Sequence, residues 1–138
     1  MGIADAVKPV KTLSPDEMGK GFADQFAKVS WGTPDAEADD KITVALQLKN
    51  ALDDDLVAVE RIRLTCTEGA TMALKAAGNG TVLAGTGSPD MIIETDEVTG
   101  SFDLEVAFAE VGTISVVGGA PQGSGFVGCK EIVDLVFA

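Results

Sequence analysis

At 138 residues the chain has the length of one domain and enough apolar surface to bury a core without disulfide staples. Apolar residues make up 46% but aromatics only 5%, so the core is built from Val, Ile, Leu and Ala, and 16 glycines fit a fold with many turns. A net charge of -12 speaks against duplex DNA or an anionic membrane surface as partner, and the absence of histidine removes Ser-His-Asp, Cys-His and His-metal chemistry together.

Met1 to Leu13 reads as an arm. It is short and broken by Pro9, with Lys8 and Lys11 beside Val7 and Val10, which could lie on a partner surface. Its start, Met1-Gly2-Ile3-Ala4-Asp5, lacks the basic region and apolar run of a signal peptide, and Ala6 stands where a myristoylation signal wants Ser or Thr. No apolar run is long enough to cross a bilayer.

Ser14-Pro15-Asp16-Glu17 is a capping box with proline at the first helical position. The spacing of Met18, Phe22, Phe26 and Val29 predicts one apolar face of a helix. Gly19 and Gly21 weaken that helix by about 1 kcal/mol each, so it depends on packing, either over its own sheet or against a neighbouring subunit. Trp31-Gly32-Thr33-Pro34 is expected to end it, with Trp31 plugging the core or anchoring an interface. Asp35 to Asp40 follows as an acidic linker. Residues 1–40 are thus arm, short helix and linker, and 41–138 form the β domain.

Lys41 to Ala51 alternates, with Ile42, Val44, Leu46 and Leu48 on one face. After a turn at Asn50 to Asp55, the run Leu56 to Thr67 shifts its apolar phase around Glu60-Arg61, which predicts a β-bulge there. Glu68 to Ala77 is ambiguous, because its alternating residues are mostly alanine. Gly78-Asn79-Gly80 is a turn, Thr81 to Ala84 a short strand and Gly85 to Asp90 a loop.

Met91 to Phe108 is expected to be the central hairpin. Met91 to Thr95 forms one strand, and Phe102, Leu104, Val106 and Phe108 alternate in the other. The link Asp96 to Gly100 ends in a glycine free to take positive φ. Gly112 to Val117, a glycine-rich loop over Gly118 to Gly128, and the nearly all-apolar strand Ile132 to Phe137 complete the chain. Seven or eight strands about ten residues apart predict an all-β, antiparallel, two-layer sandwich.

The acid excess is uneven. Met1 to Lys41 carries five lysines against eight acids, while Ile42 to Ala138 carries five basic residues against fourteen acids. Such a surface fits solubility and protection against edge-to-edge association, or else cation binding. Asp53-Asp54-Asp55 and Glu94, Asp96 and Glu97 offer oxygens for calcium but do not follow the EF-hand order. Gly118 to Gly125 lacks the Gly-Lys-Ser/Thr ending of a phosphate loop, and Ser88 has no base to activate it. Paired carboxylates for glycoside hydrolysis would need a cleft with sugar platforms, and the chain has one Trp and no Tyr. Cys66 and Cys129 could be two buried thiols or a pair. No catalytic residue, metal site or cofactor is assigned.

The order ITVALQLKNALDDDL, VAVERIRLTCT, GNGTVLAGTGS, MIIETDEVTGSFDLEV, CKEIVDLVFA resembles the small Ig-like β-sandwich domain of virion proteins from tailed bacteriophages. The likeness runs from about Lys41 to Ala138, and the family's strand, Thr-Asp, Gly, alternating-strand segment resembles Glu94-Thr95-Asp96 through Val106. The sequence departs from that pattern in its five-residue acidic turn, where a tighter Asp-Gly turn is usual, and in its arm and helix. The resemblance implies a capsid decoration (cement) protein. Such a protein would be made in the host cytoplasm, bind the major capsid protein on the outer capsid surface, often as a homotrimer, and brace the shell. Partner contacts would then fall on Val7, Lys8, Val10, Lys11, Phe22, Phe26 and Trp31. The alternatives are a tail-tube or head-tail subunit, or an Ig-like carbohydrate- or cell-binding module.

Overall fold

The computed structural model describes residues 25–75, 78–119 and 131–138. Within them the chain is all-β, with nine strands: β1 (Lys28–Trp31), β2 (Lys41–Lys49), β3 (Arg61–Cys66), β4 (Thr71–Leu74), β5 (Thr81–Ala84), β6 (Asp90–Glu94), β7 (Ser101–Ala107), β8 (Gly112–Gly119) and β9 (Glu131–Phe137). They form a four-stranded sheet, order β1-β2-β7-β4, and a five-stranded sheet, order β5-β6-β3-β8-β9. Every pairing is antiparallel.

The two sheets share one apolar core. Alternation places Ile42, Val44, Leu46 and Leu48 of β2 and Phe102, Leu104 and Val106 of β7 inward, facing Ile62 and Leu64 of β3 and Ile114 and Val116 of β8. Gly118 of β8 lets the layers approach closely, because a Cβ there would press on Trp31 and Val29 of the opposite sheet. Phe108 lies just beyond β7 and meets Phe137 edge to face at 5.6 Å.

Four expectations change. The first concerns the helix. Lys28–Trp31 is a strand, and Val29 enters the core as a strand residue paired with Leu48. The spacings of four and three that placed Val29 on a helical face are overridden by the open edge of β2, which supplies both hydrogen bonds and apolar cover. The start of that helix at Ser14, with Met18 and Phe22, lies outside the described residues.

The second is the linker. The expected linker, Asp35 to Asp40, does not connect a helix to the sheet. It belongs to the outgoing limb of a β1–β2 hairpin, with Gly32 N–H donating to the Ala45 carbonyl and Asp35 N–H to the Thr43 carbonyl. Ala38 and Lys41 exchange two backbone hydrogen bonds across Asp39-Asp40, whose φ values are 54° and 62°. That is a two-residue turn with both central residues left-handed, the kind that matches strand twist.

The third is the bulge. Residues 56–60 are no strand; they carry the chain from the four-stranded to the five-stranded sheet before β3 begins at Arg61. The inward face reverses between facing layers, so a change of layer shifts the apolar phase just as an inserted residue does. Val57 and Val59 accordingly stand 55% and 49% exposed, and only Leu56 of this stretch joins the core.

The fourth is the central hairpin. β6 and β7 do not pair. β6 belongs to the five-stranded sheet and β7 to the four-stranded one, so Asp96 to Gly100 arches over the end of the core. The ambiguous stretch resolves as β4, with Met72 buried against the core.

Candidate partner-binding surface

The acid clusters are held by the fold. Asp53 meets the Lys28 ammonium at 2.8 Å and Asp55 the Lys49 ammonium at 2.5 Å. The hydrogen bond from Lys28 holds the Asp53 carboxyl below its usual value. The hydrogen bond to Asp55 raises Lys49. The turn that carries these acids is organised from inside by buried Asn50, whose side-chain oxygen accepts from the Leu52 and Asp54 amides.

Asp96 is equally occupied. One of its carboxylate oxygens accepts from the Thr99 amide, the Thr99 hydroxyl and the Gly100 amide. Burial pushes its pKa up, but the hydrogen bonds from Thr99, Gly100 and Val98 outweigh it and hold the carboxyl below the usual carboxylate range. Among the described residues, no three of His, Cys, Asp and Glu come together in a way that could hold a metal ion.

Ser88 shapes its own turn, donating to the Asp90 carbonyl and accepting from the Asp90 amide. The Cys66 thiol donates to the Ala70 carbonyl, and burial pushes its pKa up to about 11, so it is neutral and a poor nucleophile near pH 7. Cys129 lies outside the described residues, as do most of the glycine-rich loop and Val7, Lys8, Val10, Lys11 and Phe22. Of the expected contact residues, Phe26 is 8% exposed and part of the core, and Trp31 packs partly buried against it. Neither is presented outward as a whole side chain.

Exposed apolar side chains are scattered over turns and crossings, at Leu52, Val57, Val59, Val98 and Val111, and two more lie on the outer face of the five-stranded sheet, which divides in two. Across β3 and β6 runs an ion-pair ladder, Arg63 to Asp90 by two hydrogen bonds and Arg61 to Glu94 at 3.7 Å. Across β8 and β9 the face is apolar and hydroxylic: Ile132 opposite Val117, Asp134 opposite Ser115, Val136 opposite Thr113. Ile132 and Val136 are 63% and 67% exposed, while Leu135 and Phe137, the alternate residues, are buried. β9 is the edge of its sheet, with β8 as its ladder partner among the described residues. This row was missed in a strand read as nearly all apolar. Asp134 was the available signal, since one acid in an otherwise apolar strand marks which parity faces water.

No family model matches the chain, and no curated protein matches it. Among solved structures, it is similar to a β-glucuronidase of Parabacteroides merdae, with a TM-score of 0.50 and 17% identity over 83% of this chain. The alignment spans 12% of that protein, so the likeness is to one part of a longer chain and is a likeness of fold alone.

Proposed function

We propose that this chain is a structural subunit of a tailed-phage virion, of the capsid decoration type. It binds the major capsid protein on the outer shell and braces it, and it performs no reaction. The observation that carries this reading is the exposed pair Ile132 and Val136 on edge strand β9, set on a body in which Asp53, Asp55 and Asp96 are tied into turns and ion pairs. Such a body has a face to offer a partner, and the acids that first suggested cation binding, Asp53, Asp55 and Asp96, are engaged in holding shape.

The Ig-like assignment belongs to the same proposal, and the strand order supports it. With β1, β2, β3, β4, β7, β8 and β9 taken as A to G, the sheets read A-B-E-D and C-F-G. The hairpin β5–β6 is then an insertion between D and E that extends the second sheet beside C.

The test is co-sedimentation of the purified chain with expanded, undecorated capsids, together with its size by light scattering. Saturable binding to the shell is expected, and it weakens when Met1 to Leu13 is deleted. A chain that leaves the capsids bare overturns the reading. Rings or tubes formed by the chain alone would assign it to the tail or connector instead, and selective glycan binding would make it a carbohydrate-recognition module.

A further inference from the structure

The outer row of β9 pairs apolar residues at both ends with an acid in the middle: Ile132, Asp134, Val136. Asp134 accepts from the Ser115 hydroxyl at 2.6 Å and has no basic partner among the described residues. Five basic side chains of the body, Lys28, Lys41, Lys49, Arg61 and Arg63, are already paired with other acids. Of the other five cations, Lys8, Lys11, Lys20, Lys75 and Lys130, two lie in the arm, each beside a valine.

The edge does not suit its own copy. Two β9 strands paired antiparallel about Asp134 would set the carboxylates directly opposite each other, a destabilising arrangement. The arm is complementary. Laid antiparallel with Lys8 opposite Asp134, it puts Ala6 opposite Val136 and Val10 opposite Ile132. One ion pair is then flanked by two apolar pairs on the same face. Pro9 falls on the alternate parity. If Lys8 and Val10 turn their amides to β9, the position without an N–H faces the new outer edge and blocks further strand addition.

We infer that the edge of β9 is the docking site for Ala6 to Val10 of a second copy, whose arm adds as a sixth strand to the five-stranded sheet. This rests on the self-association that the decoration reading carries. The reach is sufficient. With Ser14 to Asp24 helical, as the capping box predicts, and Lys11 to Leu13 extended, the tether spans about 26 Å. That exceeds the radius of gyration of about 14 Å expected for a chain this size. Each copy gives an arm and receives one, so the contact is head to tail and can close a small ring such as a trimer.

The experiment is charge exchange in the full chain. Lys8→Glu, Asp134→Lys and the double variant are compared with the parent by sedimentation velocity, with thermal melts to show that each is folded. Each single reversal is expected to weaken self-association by about fivefold or more, and the double variant to restore it to within about twofold. Singles that associate like the parent, a double that stays weak, or a parent that is monomeric at every concentration would each overturn the contact. Capsid co-sedimentation of the same proteins separates the two proposals. A chain that associates as described but leaves capsids bare sinks decoration alone. One that coats capsids as a monomer sinks the arm contact alone.

Discussion

The turn at Asp39-Asp40 and the link Asp96 to Gly100 each join two extended segments. The first joins segments that hydrogen-bond to each other, and the second joins strands that part into different sheets. At Asp39-Asp40 the strand ends exchange two backbone hydrogen bonds, so the turn and its pairing are one local unit. At the arch the backbone is satisfied from elsewhere. The Thr95 hydroxyl donates to the Ala58 carbonyl and accepts from the Glu60 amide, and the Thr95 amide donates to the Glu60 carbonyl. Gln47 of β2 donates to the Thr99 carbonyl, and Asp96 gathers the amides of the bend. The two crossings, 56–60 and 95–100, are thus fastened to each other at the end of the core. A hairpin is held by its own ends, whereas an arch must be held by a neighbour.

That contrast can be broken most sharply at Gly100. Its φ is 63°, and a Cβ there would overlap the Leu56 carbonyl oxygen. Gly100→Ala is therefore expected to cost about 3 kcal/mol or more, from left-handed strain and displacement of the facing crossing, read as a lowered denaturant midpoint. Thr95→Val comes next. It keeps the shape but leaves the Ala58 carbonyl and Glu60 amide short of a partner, at about 1–3 kcal/mol by the same measurement. A loss well under 1 kcal/mol would show that the two crossings are not fastened through this hydroxyl.

Asp96→Ala removes the acceptor of the bend and is expected to cost about 1 kcal/mol. Its pH dependence has a definite sign. The folded carboxyl lies below the ordinary 3.8, so its stabilisation is present above that pH and is lost as pH falls through the lower folded value. The melting temperature of Asp96→Ala should accordingly approach that of the parent as pH falls through the lowered folded value and differ most well above 3.8. The smallest effect has the opposite sign. Asp39→Asn with Asp40→Gly suits the left-handed turn better than two aspartates and should stabilise by about 0.5 kcal/mol. Glycine is thus required at the arch and merely preferred at the hairpin.

The alternation of β2 and β7 was legible residue by residue, and every inward position expected there is buried except Phe108, which lies past the end of its strand and is only partly covered. The phase shift at Glu60-Arg61 was legible as an irregularity, but a bulge and a change of sheet leave the same trace in a string. The candidate partner surface was legible only in part. Phe26 and Trp31 carry the apolar and aromatic character of contact residues; Phe26 lies in the core and Trp31 packs partly buried against it. The row on β9 was hidden because an edge strand and a central strand share one alternating pattern, and only the strand order shows which is uncovered.

Period-two alternation, scarce aromatics and closely spaced turns were enough to determine that the residues from Lys41 onward build strands around an aliphatic core, because burial of one strand face is a local matter of parity. Which strands pair was not. Whether Glu94 to Ser101 folds back as a hairpin or arches to a second sheet depends on the hydroxyl of Thr95 finding residues 58 and 60, and whether Val29 sits in a helix or a strand depends on the open edge of β2. Those are contacts between segments distant in the chain, and only the assembled tertiary structure decides them.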